Sequence, residues 1–216
     1  MIDFTIPDDV QEIRARVAAF IDEQVLPAEA EVGTRPYFDI VAGLQAKARA
    51  AGLWCPFIPA EWGGMDLGPL ANAFVQIEVG RSMLAAWAMN CMGPQDATML
   101  TLLEHGTQEQ KEKFLVPLVN AERRICFSMT ERAAGSDATG MRTTAVRDGD
   151  SWVLNGEKWF SSIANIVRQS GLPTMFRFSS NTRCSRRALI RALSMRRNDS
   201  WTFGIKACLY QQEKGL

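Results

Sequence analysis

Thr130-Glu131-Arg132-Ala133-Ala134-Gly135-Ser136-Asp137 and Asn155-Gly156-Glu157-Lys158-Trp159-Phe160-Ser161-Ser162 are the two stretches on which the reading of this chain turns. The first leaves an alternating apolar run, Ile125, Phe127 and Met129, and gathers small residues, hydroxyls and backbone N–H groups within a few positions. Such a segment suits a pyrophosphate or the edge of a flavin ring, which need close backbone approach and several donors. The second ends an apolar run with two aromatics beside two hydroxyls. Together they bracket a predicted hairpin.

That hairpin joins Thr143–Val146 to Trp152–Leu154, with Asp148-Gly149 as the turn signal, and Asn155-Gly156 predicts a second tight turn. Three or four strands ending at Ala164 cannot close a barrel by themselves, so the β segment is expected to be an incomplete antiparallel, barrel-like domain.

Upstream the period is helical. Val10, Ile13, Val17, Phe20, Ile21 and Val25 recur on one face between Pro7 and Ala30, with Pro27 expected to bend or break the helix. Ile40, Val41, Leu44 and Ala48 mark a second helix that Gly52 is placed to end. Residues 58–69, rich in Gly and Pro, predict an ordered loop with an aromatic anchor at Trp62. Pro69 opens a third helix in which Leu70, Phe74, Ile77 and Glu78 fall on neighbouring faces, and an apolar fourth runs from Leu84 to His105, interrupted at Gly93-Pro94. Gly106 is expected in the left-handed position that ends it, and Thr107 with Gln110 predicts a capping box for a fifth helix. The fold class is therefore α+β: an all-α domain over 1–121, the partial β domain over 122–164, and an irregular basic tail over 165–216.

The tail is a compositional seam. The chain has no formal net charge, yet residues 166–216 hold ten Lys/Arg against two Asp/Glu. No nucleic-acid motif accompanies the arginines, so no nucleic-acid partner is expected. The abrupt rise in Arg, Ser and Cys reads as a change of coding frame near Asn165, with an unusual but selected end to the β domain as the alternative. No run approaches the roughly 20 apolar residues of a membrane span, and Met1-Ile2-Asp3-Phe4 lacks the order of a signal peptide, so the expected compartment is the cytoplasm. Five scattered cysteines read as reduced thiols, and with one histidine, His105, no metal site is expected.

Residues 1–164 resemble the acyl-CoA dehydrogenase family, flavoenzymes that desaturate acyl-CoA thioesters. The resemblance rests on the helical start, Pro-Ala-Glu-Trp-Gly-Gly at 59–64, Gly-Thr-Gln-Glu-Gln-Lys at 106–111, and the two clusters in that order. It implies FAD as cofactor, held by Phe127, Met129, Thr130, Gly135 and Ser136 from the first cluster and Phe160, Ser161 and Ser162 from the second. Thr130 would bond the isoalloxazine edge, Ser136 the pyrophosphate region or the acyl-CoA, and Phe160 would stand beside the ring. The implied partners are acyl-CoA, an electron-transfer flavoprotein and, in the intact family, further copies of the same chain.

The family takes its catalytic carboxylate from a C-terminal helical domain, to which no residue here corresponds. No catalytic residue is therefore assigned, and the expected product is a fragment inactive alone; one half of a split flavoenzyme, or a non-enzymatic binding protein with a basic tail, stays open. Arg132 stands where the family has proline, which is expected to loosen the turn and add charge. The orders at 136–139 and 159–162 are similar to a branch acting on longer or branched acyl chains.

Overall fold

The computed structural model describes residues 5–125, 127, 129–148, 151–155, 158–160 and 188–190. Two compact units are present, Met1–His105 and Gly106–Leu216.

The first unit is helical: α1 (Asp8–Phe20), a π turn (Ile21–Val25) continuing into α2 (Leu26–Glu29), α3 (Tyr37–Ala50), α4 (Pro69–Val79), α5 (Met83–Ala88) and α6 (Gln95–His105). The six apolar residues picked out along α1 and its π turn are all buried, as are Ile40, Val41, Leu44 and Ala48 of α3. The helix does not break at Pro27. Proline lacks the N–H that a preceding turn would bond, and its ring crowds the carbonyl four residues back; the wider π turn immediately upstream accommodates both.

α1 packs on α4, where the Arg14 guanidinium donates to Glu78 at 2.8 Å and lies 5.6 Å over the Phe74 ring. On α4 the buried stripe is Val75, Glu78 and Val79. Leu70 and Ile77 point outward, so the apolar face differs from the one their spacing suggested. Burial of the Glu78 carboxylate is tolerated because Arg14 and Arg81 both pair with it. α3 packs on α5, with Phe38 edge-to-face against Trp87 at 6.4 Å and Gln45 donating to the Trp87 carbonyl. Gly52, at φ 68°, ends α3.

The connection between α3 and α4 is ordered by its own backbone. Met65 N–H donates to Cys55 O, Asp66 N–H to Ile58 O and Leu67 N–H to Pro56 O, around a 3₁₀ turn at Ala60–Trp62. Trp62 is only half-buried, while Trp54 is buried under the Arg49 guanidinium, 3.6 Å from its ring. The predicted fourth helix is two, α5 and α6. Between them Asn90 donates to the Cys55 thiol at 3.2 Å and accepts from Gln95 at 2.6 Å. Cys55 and Cys91 form no disulfide, and burial pushes both thiols up to about 12. His105 is exposed at the end of α6.

The second unit opens with α7 (Gln108–Gln110), a π turn (Lys111–Leu115) and α8 (Val116–Val119). Gly106 does not adopt positive φ, but the capping box forms: Gln110 N–H donates to Thr107 Oγ1 and Thr107 N–H to Gln110 Oε1. Thr107→Ala should lower stability by about 1 kcal/mol, measurable by thermal denaturation; Thr107→Asn, which keeps a capping oxygen, should stay near the original. Pro117, like Pro27, follows a π turn. Beyond it β1 (Thr144–Asp148) pairs antiparallel with β2 (Ser151–Asn155) in a register that sets Asp148 opposite Ser151, so Asp148 is the last paired residue of β1 rather than part of the turn its sequence suggested. β3 (Ala188–Ile190) pairs with the other edge of β2, giving the order β1-β2-β3. Among the described residues no helix is long and apolar enough to cross a membrane.

Candidate functional site

The first cluster folds into a closed turn. Glu131 N–H donates to Ala134 O at 3.1 Å and Ala134 N–H returns the bond to Glu131 O at 3.2 Å, so Arg132 at its second position does not loosen it. Arg132 and Ala133 face solvent while Ala134 is buried. Asp137 then caps the 3₁₀ turn Ala138–Gly140, accepting from the Thr139 hydroxyl and from the Thr139 and Gly140 N–H groups. These donors hold its carboxyl below the usual range, with the Thr139 hydroxyl contributing most.

The second cluster is tied to the first by a buried ion pair. Lys158 Nζ donates to Glu131 Oε1 at 2.8 Å, and each side chain is only 6% exposed. The ammonium also donates to Met129 O at 2.8 Å and contacts Met141 Sδ at 3.3 Å. The Glu131 carboxylate takes two backbone donors besides, Arg142 N–H at 2.6 Å and Thr143 N–H at 3.0 Å. Burial alone would raise the carboxyl; Lys158, Thr143 and these N–H groups outweigh it and bring Glu131 down to about 2. One residue on, Trp159 N–H donates to Thr130 O at 2.8 Å.

Around this tie lie the predicted site residues. Phe127, Met129 and Thr130 are half-buried; Gly135 and Ser136 are exposed, with open space where a Gly135 Cβ would stand. Phe160 is 78% exposed at φ 52°, its ring edge-on to Trp159 at 6.0 Å. The Arg132 guanidinium sits 5.6 Å from the Trp159 ring. Ser161 and Ser162 lie outside the described residues, as do Cys126 and Ser128. The structure thus brings Met129, Thr130 and the Trp159–Phe160 aromatics together at one edge.

Sequence reasoning missed Glu131 and Lys158 as the pair that joins the clusters. The available signal was one acid and one base, each within two residues of a predicted site residue, but nothing local states that they meet. No group of three or more His, Cys, Asp or Glu among the described residues could hold a metal ion.

Chemically, this edge offers hydroxyl groups and exposed aromatic surface to a ligand. The hydroxyls of Thr130 and Ser136 make no hydrogen bond to a described residue, and exposed aromatic surface adjoins Thr130. The one buried carboxylate is neutralised by Lys158, so it does not repel a phosphate.

The family model for the acyl-CoA dehydrogenase N-terminal domain matches residues 7–122, and that for the middle domain residues 126–187. The chain belongs to the acyl-CoA dehydrogenase family. It is 36% identical over 166 residues to acyl-CoA dehydrogenase family member 11 of Gallus gallus, covering 70% of this chain and 21% of that protein. A Mycobacterium abscessus structure assigned to the acyl-CoA dehydrogenases is also 36% identical, with a TM-score of 0.64 over 74% of this chain and 43% of the other. A glutaryl-CoA dehydrogenase of Mycobacterium smegmatis in complex with FADH2 is 26% identical, with a TM-score of 0.58 over 75% of this chain and 41% of its own. The chain thus spans well under half the length of these relatives. The helical N-terminal part has the acyl-CoA dehydrogenase fold.

Proposed function

We propose that this chain is a portion of an FAD-dependent acyl-CoA dehydrogenase, comprising the helical domain over 1–121 and a partial, barrel-like middle domain over 122–164. The observation that carries this reading is the union of the two clusters through Glu131 and Lys158, which sets free hydroxyls and exposed aromatics along one edge. Thr130 and Ser162 would hold the polar edge of the isoalloxazine, Gly135 and Ser136 the pyrophosphate or the acyl-CoA, and Phe160, followed by Ser161, would stand beside the ring. FAD, when bound, supplies the hydride acceptor for α,β-desaturation of the thioester.

The chain's own contribution is binding and orientation. Glu131 does not act as the base that takes the α-proton, since its carboxylate is buried, paired and held near 2. Catalysis would therefore need a carboxylate other than Glu131 as base, and none is assigned among the described residues. Acyl-CoA, an electron-transfer flavoprotein and further copies of the chain are the partners this reading assigns.

The visible absorption spectrum of the purified protein tests it. Flavin bands that survive gel filtration, or that appear and persist after adding FAD, are the expected result. A colourless protein that takes up no FAD would sink the assignment of a binding edge.

A further inference from the structure

We propose that Glu131 and Lys158 are positioning residues: their buried ion pair fixes the Trp159–Phe160 segment against the Thr130–Ser136 turn and so sets the shape of the ligand-facing edge. The inference rests on the flavin reading above for its ligand, and on geometry alone for the positioning itself.

The geometry is directional at every contact. The Lys158 ammonium reaches Glu131 Oε1, Met129 O and Met141 Sδ, and the carboxylate adds Arg142 N–H and Thr143 N–H. Five contacts from two side chains thus join three segments, 129–131, 141–143 and 158. The aromatics are both partly solvent-facing, Trp159 39% and Phe160 78% exposed, so packing fixes them less firmly than these directional bonds fix the backbone they stand on. A solvent-facing ring has few neighbours to hold its angle. The segment is anchored at Lys158 and at the Trp159 N–H bond to Thr130 O.

A buried ion pair contributes little net stability over a neutral pair of the same shape, since desolvation offsets the attraction. Its value here is register. Stability and positioning are therefore separable by mutation.

In the full chain, Lys158→Met should leave Glu131 buried without its counter-charge and lower the melting temperature. The double variant Glu131→Gln/Lys158→Met keeps an acceptor for the backbone donors and should restore most of that loss. It should nonetheless weaken FAD binding, followed by absorbance titration, roughly tenfold or more and alter the visible circular dichroism of the bound flavin. Lys158→Arg should recover part of the affinity. If the double variant regains affinity along with melting temperature, the pair is structural only and the proposal is overturned.

Hydrogen exchange at the Trp159 amide keeps the two readings distinguishable. If the original protein takes up no FAD, the flavin reading fails. Positioning still predicts that this amide exchanges roughly tenfold or more faster in the double variant, with the amides of α1 unchanged. Equal protection in both proteins would overturn it.

Discussion

Gly64→Ala is expected to lower the stability of the helical unit by about 3 kcal/mol or more, because a Cβ has no room there. Built on the existing backbone it would stand 2.0 Å from Ile58 O, 2.5 Å from Ile58 Cβ and 2.6 Å from Ile58 C. Two of these three atoms are main chain. Ile58 is buried, and its carbonyl already accepts from Asp66 N–H, so it cannot retreat without breaking the bonds that order the loop. Gly63→Ala is the matched control. Gly63 itself sits at φ 89°, a left-handed conformation that costs a side chain about 1 kcal/mol. Denaturant titration of both variants should give the larger loss at Gly64. Equal losses would mean that conformation, not space, explains the paired glycines.

Those glycines illustrate how far the sequence could be read. Residues 58–69 announced an ordered loop through their Gly and Pro content, and the backbone bonds across Cys55–Leu67 agree. Which glycine is sterically required depends on the carbonyl of Ile58, six residues away, and no propensity states it. The same division runs through the helices. The stripes of α1 and α3 were legible because helical periodicity is local, and the Thr107–Gln110 box because both partners lie within one turn. The α4 stripe was read only in part: Glu78 is buried, admitted by Arg14 from another helix and by Arg81, but Val75 and Val79 complete the buried face while Leu70 and Ile77 are exposed. The π turns before Pro27 and Pro117 were illegible for a related reason. Proline marks where an α-helix is strained but does not say whether the chain kinks, stops or widens.

At the candidate site the motif clusters were legible as composition, whereas their connection was not. Glu131 and Lys158 are 27 residues apart, and the strands between them bring the two together. Arg132 was expected to loosen the turn, yet two reciprocal backbone bonds close it without help from proline. The resemblance therefore located the edge, and the structure supplied what holds it.

Acid should weaken the second unit through Glu131, and the size and sign of the effect follow from its environment. The folded carboxyl lies at about 2 against an ordinary value of 4.5, so the folded state holds its proton less tightly than the unfolded chain. A depressed carboxyl contributes stability that is complete above the unfolded value and is lost as pH falls toward the folded one. The window is thus from about 4.5 down to about 2. The difference corresponds to about 3 kcal/mol, and the near-complete burial of both side chains leaves little solvent to screen it. Asp137 shifts in the same direction but is exposed, so its share is screened and adds only to the slope. Melting temperatures measured across that window should fall steeply for the original protein and much less for Glu131→Gln, which has no carboxyl to titrate. Asp137→Asn should retain most of the fall. Parallel acid profiles for the original protein and Glu131→Gln would mean that the pair with Lys158 does not govern the acid stability of this unit.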